Sequence, residues 1–123
     1  MRTARKQIKE LMSDQAEEEE MQTMGDAAIS AIDAWEVHIA QLKHQTYEDE
    51  DAWETMLDGQ LRFLLDVIDG TGAPVTDGAM TRLSDLRAEW QIRLGELSSI
   101  SDQHIRPINN WAREQGIDYV QVP

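Results

Sequence analysis

The first 73 residues of this 123-residue chain contain no proline and are rich in Ala, Glu, Gln, Leu and Met. Few sequence features restrict the backbone more, because those residues favour helix and nothing interrupts them. Within this stretch the apolar positions Ala28, Ile29, Ile32, Trp35, Ile39 and Leu42 advance in steps of three and four, drawing one stripe along a helix. A second stripe runs through Trp53, Met56, Leu57, Leu61, Leu64, Leu65 and Ile68 and stops at Asp69-Gly70, where glycine fits a C-terminal cap. The third and longest passes through Leu83, Leu86, Trp90, Leu94, Leu97 and Ile100 or Ser101.

The connections are predicted from local chemistry. In the polar segment QTYEDEDA, Thr46 or Asp49 is placed to cap the second helix. In TGAPV the breakers separate two helices, and Thr76 stands where its hydroxyl would accept from the free amides of a helix beginning at Asp77. Pro107 either kinks the third helix or opens a short last one that Gly116 closes, since proline is welcome in a first turn but cannot donate an internal hydrogen bond. The final IDYVQVP alternates apolar and polar side chains, suggesting an extended tail that packs across the bundle or leads to another domain.

The expected fold is all-α, an antiparallel up-down helical bundle. Three principal helices lie near residues 26–44, 52–69 and 77–104, with an N-terminal helical extension over 1–25 and a short C-terminal helix; residues 26–123 form the bundle proper. For the extension two readings compete. It continues the first bundle helix without a break, or it is a separate helix that turns near Gly25-Asp26. Basic residues at a helix start and the neighbouring glutamates Glu17 to Glu20 make it the least stable part.

Charge narrows the partners. A net charge of −13 repels a phosphate backbone or an anionic lipid surface, so no nucleic acid is expected. Four of the 11 basic residues, Arg2, Arg5, Lys6 and Lys9, crowd the first nine positions. There is no cysteine, which removes disulfide and thiolate chemistry without fixing a compartment. No apolar run approaches the roughly 20 residues that span a bilayer, so no membrane insertion is expected and the chain as given should be soluble. Localisation stays open.

Site chemistry is sparse. A di-iron bundle needs Glu-x-x-His on two helices, but the residues three before His38, His44 and His104 are Trp35, Gln41 and Ser101. His38 and His44, six apart, diverge by roughly 120° on a helix. The carboxylates Glu48 to Asp51 and Glu54 lack the glycine and ligand order of an EF-hand, and Ser101 with His104 lacks an oxyanion donor. No catalytic residue, cofactor or metal ligand is expected. Trp35, Trp53 and Trp90 fall on the apolar stripes and read as core. Trp111, flanked by Asn109 and Asn110 after the proline, reads as the tryptophan that meets a partner, and Ile8, Leu11 and Met12 add a weak apolar stripe at the other end of the chain.

Four segments also carry a resemblance. Asp33-Ala34-Trp35-Glu36, Leu57-Asp58 with Gln60-Leu61, Pro74 to Gly78, and Arg82-Leu83 with Leu86 and Trp90 resemble the C-terminal helical region of large bacterial proteins built on BNR-repeat, sortilin-like (VPS10-type) β-propellers, proteins often labelled glycosyl hydrolases. The resemblance covers roughly residues 27–123. It implies a piece of a larger exported protein, periplasmic or extracellular, in which any hydrolytic activity belongs to the propeller. On that basis the chain is expected to be a non-catalytic accessory domain that packs on the propeller or on a second copy as a homodimer. The alternative is a stand-alone acidic adaptor that uses the N-terminal extension as its sticky element; glycoside hydrolysis in the parent protein ranks third. The acidic linker at Glu48 to Asp51 departs from the family pattern.

Overall fold

A computed structural model describes residues 1–43, 53–70, 72, 74–117 and 120. Among these all regular structure is helical: α1 (Arg2–Asp14), α2 (Glu19–Ile39), α3 (Leu57–Gly70), α4 (Asp77–Ile100), a π-helical turn (Ser101–Ile105) and α5 (Arg106–Gln115). The all-α bundle expected from the stripes is what forms. Packing divides the chain into two units, Met1–Ala34 with Glu96–Pro123, and Trp35–Gly95.

In the first unit α1 and α2 make an antiparallel hairpin. Ala4 and Ile8, four apart on α1, are fully buried, as are Met21, Ala28 and Ile32 on α2. The register is fixed at both ends. Near the turn, the Gln22 side-chain amide donates to the carbonyls of Met12 (2.8 Å) and Gln15 (3.1 Å). Farther along, the Arg5 guanidinium pairs with the Asp33 carboxylate at 2.5 Å.

Of the two readings of the N-terminal segment the separate helix is the one that forms, but its turn is misplaced in the sequence reading: the chain turns at residues 15–17 instead of Gly25-Asp26. The first bundle helix therefore starts at Glu19, not at residue 26. Glu19 and Glu20 occupy its first turn, where the unpaired amides at a helix start favour carboxylates, so the glutamate run helps begin α2. Gly25 lies within that helix and is buried; a Cβ there would land on the Sδ and Cγ of Met12. Glycine at this position lets α1 approach closely and makes no turn.

The rest of the first unit is one helical run interrupted by proline. Pro107 has no amide hydrogen and its ring would crowd the carbonyl four residues earlier, so the chain widens into a π-turn, with the Arg106 amide donating to Ser101 five residues back. Helix α5 then starts with Pro107 in its first turn and ends at Gly116, whose φ of 70° places it in the left-handed region. Ile105 and Ile108 are three apart, Trp111 and Ala112 follow three and four after Ile108, and all four are buried on one face.

In the second unit α3 and α4 pair antiparallel around Leu57, Leu64 and Leu86, with Ile39, Leu61, Ile68, Ala79, Leu83 and Trp90 against them. The expected Thr76 cap forms, its hydroxyl accepting from the Ala79 amide at 3.2 Å. Helix α2 ends at Ile39, short of the expected 44, and just beyond it Gln41 donates its side-chain amide to the Glu54 carbonyl at 3.0 Å. Helix α3 starts at Leu57, five residues later than expected, leaving Trp53 outside it and 43% exposed. Lys43 Nζ stands 4.2 Å from the centre of the Trp53 ring, a cation–π contact in place of the core position predicted for that tryptophan. The caps expected of Thr46 or Asp49 fall outside the described residues. At the other end Gly70 is still helical and Gly72, with φ 56°, is the left-handed residue.

Candidate docking face

The residues proposed from sequence for an interaction surface prove to be mostly structural. Trp111 is only 7% exposed, because it continues the buried stripe of α5. Asn109 binds the chain's own tail: its amide donates to the Val120 carbonyl at 2.9 Å, and its carbonyl oxygen accepts from the Val120 amide at 2.7 Å. Val120 is thereby buried against the first unit. Asn110 is exposed, Ile8 is fully buried, and Leu11 and Met12 are half-buried. A sticky element built on Ile8 is thus unavailable in this fold. Leu11 does line a shallow concavity of about 420 Å³ with Gln7, Glu10, Asp14, Ile117 and Val120, mixed in polarity.

The apolar surface lies elsewhere. Val37, Leu42, Trp53, Phe63, Leu65, Val67, Val75, Met80 and Ile92 are the exposed large hydrophobic residues among those described, and all nine belong to the second unit. Phe63, at 71%, is the most open. It and Val67, one turn apart on α3, lie to the side of the Leu57–Leu61–Leu64–Ile68 stripe that faces the core. Together with Leu64, Ala79 and Gly78 they floor an open groove of about 460 Å³ between α3 and α4, bounded by Thr55, Gln60, Thr76 and Arg82.

Local chemistry holds that groove in shape. The Gln60 side-chain amide donates to the Thr55 carbonyl at 2.6 Å, securing the chain ahead of α3. Its carbonyl oxygen accepts from the Arg82 guanidinium, which ties α3 to α4 across the groove. Gly59 is also constrained, since a Cβ would come within 2.6 Å of Thr55 Cγ2.

The surplus of apolar residues was visible in the sequence. Leu61, Phe63, Leu64, Leu65, Val67 and Ile68 are too many for one stripe: Phe63 and Val67 fall off it and face outward, and Leu65, expected on the stripe, is exposed as well. Ile92, between the stripe positions Trp90 and Leu94, carries the same signal.

The other candidates offer less. His38 is exposed; His104 is half-buried on the π-turn beside Ser101; His44 and the carboxylates Glu48 to Asp51 lie outside the described residues. Among the described residues no three His, Asp or Glu side chains are placed to hold a metal ion. None of the described helices is long and apolar enough to cross a membrane. The motif residues that carry the propeller-protein resemblance have packing and capping roles: Asp33 pairs with Arg5, the Trp35 indole donates to the Arg93 carbonyl at 2.9 Å, Glu36 is buried, Leu57 and Leu86 are core, and Thr76 caps α4.

Fold and surface together define an all-α helical module with an apolar groove between α3 and α4. No family model, curated protein or solved structure matches the chain.

Proposed function

We propose that this chain is a non-catalytic docking module whose second unit, residues 35–95, carries the binding face. The observation that supports this is the segregation of exposed large apolar side chains: all nine among the described residues fall in that unit, Phe63 and Val67 along a groove. Scattered single exposed hydrophobics are ordinary, but their concentration on one unit marks a surface that gains by being covered. Following the sequence resemblance, the module belongs to a larger exported BNR-repeat protein and the covering partner is its β-propeller or a second copy of the chain. Hydrolysis of glycosides, where the parent performs it, is assigned to the propeller.

The test is the solution mass by light scattering at low and high salt, together with uptake of a hydrophobic dye, for the native chain and for Phe63→Asp/Val67→Asp. Apolar association should survive high salt and disappear in the double variant. In a chain that stays monomeric, dye uptake should be substantial and should drop in the variant. A monomer with the same dye uptake in both forms overturns the assignment.

A further inference from the structure

Helix α1 has little stability of its own. It is 13 residues long with only Ala4 and Ile8 fully buried, Met1 gives it no side-chain cap, no acidic residue occupies its first turn and no basic one its last. A helix of that length is marginal in water, and Arg2 and Arg5 at its start oppose its dipole. Docking against the rest of the first unit is what keeps it formed.

The tail supplies part of that docking. The chain leaves α5 at Gly116, where the Ile117 amide donates to the Ala112 carbonyl at 3.0 Å, and by Val120 it has doubled back beside Asn109 in the first turn of α5. There the Asn109 carboxamide holds both main-chain groups of one residue, accepting from the Val120 amide and donating to its carbonyl, and Val120 is 3% exposed. Ile117 and Val120 in turn line one concavity with Gln7, Leu11 and Asp14 of α1. Their attachment at Val120 is two hydrogen bonds to a single side chain, so it can open locally while the buried stripe of Ile105, Ile108, Trp111 and Ala112 keeps α5 in place.

We infer that the C-terminal tail is a strap for α1, with Asn109 as its latch. Closed, it keeps α1 docked; open, it lets α1 leave α2 and presents Ile8, Leu11 and Met12 as a conditional apolar surface. These residues all belong to the first unit, so the strap works apart from the docking face proposed on the second.

The experiment is amide hydrogen exchange on the full chain. Asn109→Leu removes both hydrogen bonds at nearly constant size, and Val120→Gly empties the buried position while leaving the hydrogen bonds. In both variants exchange in α1 around Ile8 and Leu11 should rise on the order of tenfold, whereas exchange in α5 around Trp111 should change by less than about twofold. Uptake of a hydrophobic dye should also increase in Asn109→Leu, and adding Leu11→Ser should remove most of the increase. Circular dichroism verifies the fold; should Asn109→Leu lose helix, Val120→Gly, which lies outside the regular helices, carries the test.

Faster exchange at Val120 with α1 unchanged would make the tail a bystander and overturn the inference. A rise shared equally by α1 and α5 would mean a general loss of stability in the first unit and would overturn it too. So would a dye increase that Leu11→Ser leaves intact, since the surface exposed would then not be that of α1.

Discussion

Trp111 is 7% exposed and Trp53 is 43% exposed, and each is representative of its unit. In residues 1–34 and 96–123 no large apolar side chain among those described is exposed. There Ile8, Met21, Ile32, Ile105 and Ile108 are sealed, and Val120 is buried and held by Asn109. In residues 35–95 the core is Leu57, Leu64 and Leu86, and nine large apolar residues remain in solvent. What separates the two units is where the apolar residues fall in the helical period: α5 keeps its large apolar side chains on one stripe, whereas α3 carries six hydrophobics in eight positions and can bury only some of them.

The largest expected effect breaks the contrast at its tryptophans and phenylalanine. Trp111→Ala removes a buried indole and should cost about 3–5 kcal/mol in urea unfolding, the range for large aromatic truncations in cores. Phe63→Ala, in the open groove, should stay within about 0.5 kcal/mol. Similar costs at the two sites would mean that the groove is covered in solution, for example by a second copy, and would show as a concentration-dependent melting temperature.

A smaller effect sharpens the account of the sealed unit. Gly25→Val places a branched side chain where Met12 now sits and should destabilise by about 1–3 kcal/mol, as overpacking does. Met12→Ala clears that space. Combined with Gly25→Val it should recover most of the loss, giving a non-additive double-mutant cycle. Additive costs would show that α1 does not approach α2 at Gly25.

Much of this was legible because it depends on local chemistry. The helical class, the long stripe of α4, the Thr76 cap and the Gly116 stop are each set by a residue and its neighbours within a turn or two. The errors arose where a residue's role depends on a distant segment. Gly25 looks like a turn until Met12 is beside it, and Trp111 looks free until Ile105, Ile108 and Ala112 are seen to share its face. The members of the glutamate run repel one another, yet Glu19 and Glu20 sit at a helix start that favours them. The exposed apolar residues of α3 depend on no distant segment: Phe63 and Val67 fall off the Leu57–Leu61–Leu64–Ile68 stripe, and that spacing alone places them outside the core.

The smallest effect tests whether the open unit is held by local chemistry despite its small core. Thr76 caps α4 through one hydrogen bond to Ala79 and also lines the groove, so Thr76→Ala should cost about 1 kcal/mol, the usual value of a lost N-cap. Thr76→Asn retains a side-chain oxygen that can accept from the same amide and should restore most of that. The measurement is amide hydrogen exchange over α4, where protection near Ala79 and Met80 should fall in the alanine variant while exchange in α1 stays unchanged. Equal loss of protection in α1 would mean that the cap supports both units together, and the contrast drawn between a sealed unit and an open one would then describe their surfaces without describing their stabilities.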